Sequence, residues 1–416
     1  MPDTLSQGGD REPSPWPRRV AAAVVLVVAA VLIVLHLPRA SHSAPTSAQS
    51  RPAVTPTAPT GPSGTGAPVV ATGPNGIIGP VLPWPGGLRL PATGPRPAWF
   101  LPGTGQTTPI RGLPPERSGY QFIPIAGGWA IQAAAGVQAG CGTCAGPPRA
   151  VYFLADHAPS VTRVGLADAV APAAGGPHAV APAAGGLWLT SYPADADPGT
   201  AMGTAREVSI AGAPLGPQVT LPVGEVILRG TDRGLLLGPT EPALTATAYR
   251  LWDPAAPKAE RTFGWVLAAS ASEIASTPPC AARCRVQVLN LDTGRQLTAE
   301  LPTGRAAISA AFSPDGRYLA VEESFSNEGD DGGLAVQLEL VSLASGRVTT
   351  VPETMLSSDA LISFGWPGSS GSLVAELGFT TKVQLMSWRP GAARLSTALL
   401  APRQDSRSLV IGQYGP

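Results

Sequence analysis

The sequence predicts an all-β fold, a seven-bladed β-propeller closed by its N- and C-terminal strands and preceded by one transmembrane helix and a disordered linker. Three observations carry this expectation. An unbroken apolar run lies near the N-terminus, a stretch almost free of charge and aromatics follows it, and beyond that one apolar pattern recurs seven times. The organisation they imply is a short cytoplasmic tail over 1–18, a transmembrane signal anchor over 19–37, a Pro/Ser/Thr/Ala/Gly-rich linker over 38–82, and the propeller over 83–416.

Residues Val20 to Leu35 are all apolar, and His36 and Leu37 extend the run. At about 1.5 Å per residue such a helix spans roughly 27 Å, enough for a hydrocarbon core. Arg18 and Arg19 flank it on the N-terminal side, which keeps the tail in the cytoplasm and exports the rest. The expected location is therefore the cell membrane, single-pass, with the propeller outside the cytoplasm. Small residues at Ser41-His42-Ser43-Ala44 leave open a cleaved signal peptide and a secreted domain. From Pro38 to about Leu82 the chain cannot bury enough apolar surface to offset its ordering entropy, and it reads as an extended tether.

The 49 glycines and 47 prolines favour turns and short strands over long helices. With 13% charged residues and a net charge of zero, the chain lacks the basic stripe that nucleic-acid binding needs. Lysine occurs only at Lys258 and Lys382; together with abundant Ala, Gly and Pro, that reads as a GC-rich, actinobacterial-looking genome.

The seven repeats each place a small or turn residue before an apolar strand. They are Gly128-Trp129-Ala130-Ile131, Gly186-Leu187-Trp188-Leu189, Gly234-Leu235-Leu236-Leu237, Gly264-Trp265-Val266-Leu267, Arg317-Tyr318-Leu319-Ala320-Val321, Ser372-Leu373-Val374-Ala375 and Ser408-Leu409-Val410-Ile411. From Trp129 to Leu409 six intervals average about 47 residues, one four-stranded blade each. We read these as the inner strands. A second series of hairpins follows them, clearest at Asp292-Thr293-Gly294 and Ala344-Ser345-Gly346, with weaker members near residues 158, 214, 255 and 391. The strand at Leu409 has no hairpin after it, and the hairpin at Pro102-Gly103-Thr104-Gly105 has no strand before it. The two complete each other if the C-terminal strand joins a blade begun at the N-terminus. A short duplication, AVAPAAGG at Ala169–Gly176 and again at Ala179–Gly186, reads as an insertion between blades.

At Ala311-Phe312-Ser313-Pro314-Asp315-Gly316-Arg317-Tyr318-Leu319-Ala320-Val321 the chain resembles the strand–turn–strand signature of WD-repeat-like propellers of the TolB type. Pro fixes φ and Gly accepts a positive φ, as a tight turn requires. The resemblance implies the architecture and carries over no ligand and no catalytic residue.

The cysteines form Cys141-x2-Cys144 and Cys280-x3-Cys284. Outside the cytoplasm thiols are normally paired, and the repeat map sets the two pairs three blades apart. Two local disulfides are the expectation; tetrahedral zinc and a redox pair are the alternatives. The acidic stretch Glu322-Glu323 to Glu328, Asp330 and Asp331 falls between strand and hairpin, on the same face as the cysteines. A calcium site or a basic partner is conceivable there, without EF-hand spacing; a solvated hairpin tip is the bland alternative. Glu328, Asp330 and Asp331 are the candidate binding loop.

Other searches find nothing catalytic. The propeller's histidines are His157 and His178, too few for a multi-histidine metal site, and Gly368-Ser369-Ser370-Gly371 lacks nucleophile-elbow spacing. Trp129, Trp188, Trp265, Trp366 and Trp388 fall in or beside strands and are read as packing between blades rather than as carbohydrate platforms. No metal and no cofactor is expected. The reading is a membrane-tethered propeller that binds a protein or cell-envelope polymer. A propeller hydrolase or lactonase with carboxylates around the central channel, or an envelope sensor, are the alternatives.

Overall fold

Short apolar runs punctuated by Gly, Pro and Asp cannot sustain a helix, and every regular element described is a β-strand. The computed structural model describes residues 71–73, 76–78 and 88–402, together with Leu409 and Ile411; short gaps interrupt it, the longest at 134–147, 173–185, 241–248, 279–283 and 327–333. The chain divides into Met1–Thr65 and Gly66–Pro416, and the first unit lies outside the described residues. So do the expected tail, transmembrane helix and most of the linker. Among the described residues no helix is long and apolar enough to cross a membrane.

Seven antiparallel sheets form the propeller. We number the blades along the chain and letter their strands a to d. Blade 1 is Tyr120–Ile125, Gly128–Ala133, Arg149–Ala155 and Thr162–Ala167; blade 2 is Ala169–Pro172, Gly186–Ser191, Thr204–Ser209 and Val219–Thr220. Blade 3 is Glu225–Thr231, Gly234–Pro239, Tyr249–Trp252 and Arg261–Phe263; blade 4 is Trp265–Ala269, Glu273–Thr277, Arg285–Asn290 and Gln296–Glu300. Blade 5 is Ala306–Phe312, Tyr318–Ser326, Leu334–Ser342 and Val348–Thr350, with Leu356–Ser357 added beside strand c. Blade 6 is Leu361–Gly365, Leu373–Gly378, Lys382–Trp388 and Ser396–Pro402. Blade 7 takes strands b to d from Leu90–Ala92, Ala98–Leu101 and Gln106–Pro109, and Leu409 supplies strand a through an antiparallel bridge to Ala92. This is the circular closure expected from the sequence.

Strands a of blades 1 and 2, 2 and 3, 4 and 5, and 5 and 6 touch one another, so strand a lies nearest the axis. The core is accordingly not one mass but seven apolar seams, one between each pair of neighbouring blades. Seam 7–1, for example, packs Trp99 and Ile110 against Phe122, Trp129 and Leu154. Each fully buried Leu there contributes about 1.5–3 kcal/mol relative to exposure. Trp99 also donates its indole N–H to Ala158 O at 2.6 Å, fastening blade 7 to blade 1.

The hairpin series from the sequence matches the c–d turns of all seven blades. The strand series needs correction. Five of its members are strand b, not the inner strand; only Trp265 and Leu409 sit on strand a. Strands a and b are both buried on two faces and read alike as continuous apolar runs. In blade 4, strand b is Glu273-Ile274-Ala275-Ser276-Thr277, and its polar residues hide it behind the more apolar strand a. The glycine that opens several repeats has a steric cause. At Gly234, φ is +130° and a Cβ would lie 2.6 Å from Trp252 O on strand c.

Three further expectations change. The duplicated AVAPAAGG is not an insertion between blades: Ala169–Pro172 of its first copy form strand a of blade 2 and its second copy ends at Gly186, where strand b begins. Glu322 and Glu323 are not loop residues, because strand b of blade 5 runs on to Ser326. A small hairpin, Ala71–Gly73 with Gly76–Ile78, falls inside the stretch read as disordered linker, where Pro74-Asn75-Gly76 provides turn chemistry.

Candidate functional site: one propeller face and the buried charges at the axis

Antiparallel strands place the a–b and c–d turns on one face and the b–c and d–a connections on the other. The b–c connections are 134–148, 192–203, 240–248, 278–284, 327–333 and 379–381 in blades 1 to 6, so this face carries long loops on blades 1 to 3 and a short one on blade 6. Strand b of blade 7 starts at Leu90, so the chain before it arrives on the opposite, a–b face.

Among the described residues four exposed apolar side chains lie toward the b–c face, whereas Leu215 sits in the c–d turn of blade 2 on the other. Met202 lies in a b–c connection, Val223 in a d–a connection, and Trp265 and Ile308 near the beginnings of strands a; they are 55%, 55%, 40% and 45% exposed. Trp265 thus departs from the core role expected of it, whereas Trp129, Trp366 and Trp388 are buried. The Trp265 ring packs edge-on against Tyr249 at 5.8 Å, which fixes its orientation.

A polar chain stiffens the same rim where the loops are longest. Arg149 donates to Ala133 O at 2.7 Å and also to Asp168 O. Tyr192 N donates to Asp168 Oδ2 at 2.8 Å, and Tyr192 Oη donates to Glu225 O at 3.1 Å. Arg250 closes the series with Nε and Nη2 on Glu225 Oε2 at 2.9 and 2.7 Å. Burial and the Asp168 charge push the Tyr192 phenol up to about 12, so it stays a neutral donor.

Nearer the axis, ionisable groups sit inside successive seams. In blade 5, Ser309 Oγ donates to Glu322 Oε2 at 2.6 Å; in blade 6, Ser363 Oγ donates to Glu376 Oε2 at 3.2 Å. Glu376 Oε1 also accepts the backbone N–H of Leu409 at 3.5 Å, which ties the closing strand to blade 6. Burial raises both carboxyls, Glu376 to about 7. Glu323, on the other side of the same strand, is fully buried. Arg229 on strand a of blade 3 is 2% exposed, and burial lowers it to about 10.

The other raised carboxyls are scattered. Asp156 and Asp232 sit in turns of the a–b face, Glu273 begins strand b of blade 4, and Glu207 is on strand c of blade 2. His157 is exposed in the c–d turn of blade 1 with φ 63°, on the face opposite the b–c loops. Among the described residues no three metal-ligating side chains come together.

Of the sites named from sequence, Cys141, Cys144, Cys280, Glu328, Asp330 and Asp331 lie outside the described residues, all in b–c connections. Cys284 is described: it is buried in seam 4–5 and is not free. The signature turn is self-contained. Ser313 Oγ donates to Asp315 Oδ1 at 2.7 Å, Arg317 Nε to Asp315 Oδ2 at 2.6 Å, and Tyr318 N to Ser313 Oγ at 2.9 Å. Its polar atoms are occupied by the turn itself. Sequence reasoning missed Arg229 and Glu376; the available signal was a single charge inside an otherwise apolar strand.

No family model and no curated protein matches the chain. Solved structures do resemble it. They include the acylaminoacyl peptidase of Pyrococcus horikoshii (10% identity, TM-score 0.47, covering 75% of this chain and 48% of that one). The β-propeller domain of the trilobed protease from Pyrococcus furiosus is similar at 9% identity and TM-score 0.46, covering 74% and 91%. TolB from Acinetobacter baumannii is similar at 12% identity and TM-score 0.38, covering 65% and 64%. The chain spans about half the length of the peptidase. At these identities no activity passes from them to this chain. The class its own strands define is the seven-bladed β-propeller.

Proposed function

We propose that the chain is an exported, membrane-tethered propeller that binds a protein or cell-envelope polymer through its b–c face. The observation that supports this is that the connections 134–148 and 192–203 and the exposed side chains of Met202, Val223, Trp265 and Ile308 lie on one face. Loops on a rigid scaffold and an exposed apolar surface are the usual material of a recognition site. Strand b of blade 7 begins on the other face, so the chain does not enter the propeller through the b–c face. In this reading Cys141–Cys144 and Cys280–Cys284 are local disulfides that stiffen two of these loops, and the segment with Glu328, Asp330 and Asp331 adds an acidic element to the same face.

The enzymatic alternative finds its nearest support in Glu376, whose carboxyl lies in the range of a general acid or base. That carboxyl is 1% exposed and is engaged by Ser363 and Leu409, which favours a structural use.

The test is retention of a solubilised envelope fraction on the immobilised protein. The double variant Trp265→Ser/Ile308→Ser should lose at least ten-fold in retention, with its melting temperature little changed. Equal retention by the variant, or a substrate turned over by wild type and not by Glu376→Gln, would displace the binding reading.

A further inference from the structure

Blades 3 to 6 share a device on strand a. Each has a β-bulge opposite strand b, between Ile227 and Arg229, Val266 and Ala268, Ala307 and Ser309, and Leu361 and Ser363. The residue after the bulge pairs with Leu236, Ala275, Glu322 and Glu376 respectively. Directly paired residues share a face of the sheet, and in all four blades that face is the one packed on the next blade. The position therefore recurs in equivalent surroundings, on the strand nearest the axis.

What fills it differs. In blades 5 and 6 a serine donates to the glutamate opposite, so polar groups come in matched pairs. In blade 4 both residues are alanine, and nothing needs matching. In blade 3 the residue is Arg229 and the one opposite is Leu236, fully buried in the apolar seam with Val266 and Ile274. None of the three guanidinium nitrogens makes a hydrogen bond to any of the described residues. With its titration near 10, the group is charged at neutral pH. A buried cation without a counter-charge is strongly unfavourable, and a guanidinium is shaped to take a planar two-oxygen anion. The carboxylate that blades 5 and 6 carry on strand b is the group missing here.

We propose that the axial end of the blade 3–blade 4 seam is a carboxylate-binding site, in which a ligand's carboxylate pairs with Arg229 and supplies the charge that a strand-b glutamate supplies in blades 5 and 6. The ligand carries one negative charge, so that the pair is neutral. Two sources share this chemistry: a small free carboxylic acid, and the C-terminal carboxylate of a peptide. The site stands apart from the b–c loop face and does not depend on its being a binding surface.

The experiment is thermal unfolding of the full chain in detergent at constant ionic strength, with acetate replacing chloride. Wild type should gain several degrees in a saturable manner. Arg229→Met should be more stable than wild type in chloride and indifferent to acetate. Leu236→Glu, which supplies the carboxylate from within, should also be indifferent to acetate; if it does not fold, wild type and Arg229→Met decide the matter. A short apolar peptide acid that saturates at least ten-fold below acetate, while its C-terminal amide has no effect, assigns the source to a chain terminus. Equal potency of acetate and peptide acid assigns it to small acids. No acetate-specific rise in wild type, or the same rise in Arg229→Met, overturns the proposal.

Discussion

Blade 5 is continuous in sequence from Ala306 to Thr350, and its strands b and c, nine residues each, pair over their whole length. Blade 7 joins Leu90–Pro109 to Leu409 across the other six blades, and among the described residues its innermost strand pairs with strand b through the bridge between Ala92 and Leu409. The two follow one plan but differ in what they cost to assemble. Pairing within blade 5 closes short loops; pairing Ala92 with Leu409 closes nearly the whole propeller, and the entropy of that loop is lost before any contact rewards it. The molecule supplements the closure accordingly. Leu409 and Ile411 enter the seam with Leu90, Phe100, Val374 and Leu385, the Leu409 N–H is taken by Glu376, and Trp99 bonds across to Ala158. Ring closure should be the weak point, and blade 5 among the most persistent parts.

The largest test of that contrast is Leu409→Asp. It removes a side chain 7% exposed in seam 6–7 and puts a charge beside Glu376. A cavity of this kind costs about 2–5 kcal/mol and an unpaired buried charge adds to it. Hydrogen exchange should show blades 6 and 7 losing protection first while blade 5 keeps it. Uniform loss around the ring would mean that closure is no weaker than the blades.

A second test uses pH. Burial keeps the Glu376 proton on up to about 7, whereas in the unfolded chain it leaves near 4.5. Between those values unfolding releases a proton, so stability falls as pH rises through the window and is level above it. At 1.36 kcal/mol per pKa unit the effect is about 3 kcal/mol. Glu376→Gln fixes the group as neutral, so it should match wild type near pH 4.5 and exceed it at pH 8. Denaturant midpoints at both values measure this, and an unchanged slope in the variant would deny Glu376 the role of latch.

The same contrast explains what could be read from sequence. Every c–d turn was legible, because Gly, Pro and Asp at those positions act through local backbone geometry. Closure was legible as well, since an unpaired hairpin near Pro102 and an unpaired strand at Leu409 cannot both be left as edges. The order of strands a and b was not, because both are buried on two sides and hydrophobic pattern does not distinguish them. The charges at the axis were hidden for a related reason. Glu322 and Glu323 read as the start of a solvated loop, and only the pairing of Tyr318–Ser326 with Leu334–Ser342 shows them inside the sheet. Arg229 in Glu225-Val226-Ile227-Leu228-Arg229 looks like any strand-end cation until register places it opposite Leu236.

The smallest effect is expected at the signature turn, and it sharpens the comparison from the side of blade 5. Asp315 accepts from Ser313, from the Arg317 backbone and from the Arg317 side chain. Burial works against its charge, but these hydrogen bonds outweigh it and hold the carboxyl below its ordinary value. Its contribution is therefore present at neutral pH and is lost on acidification through that lowered value. Asp315→Ala removes bonds that are local and partly exposed, so the loss should be about 1 kcal/mol. Because the hairpin also rests on Leu319 and Val321 in seam 4–5 and Ala320 in seam 5–6, the ring should stay closed. Faster exchange confined to residues near 313–318, with the Leu409 amide unaffected, is the expected pattern. If the Leu409 amide also loses protection, blade 5 would be coupled to closure, and the division between local and ring-closing stability would not hold.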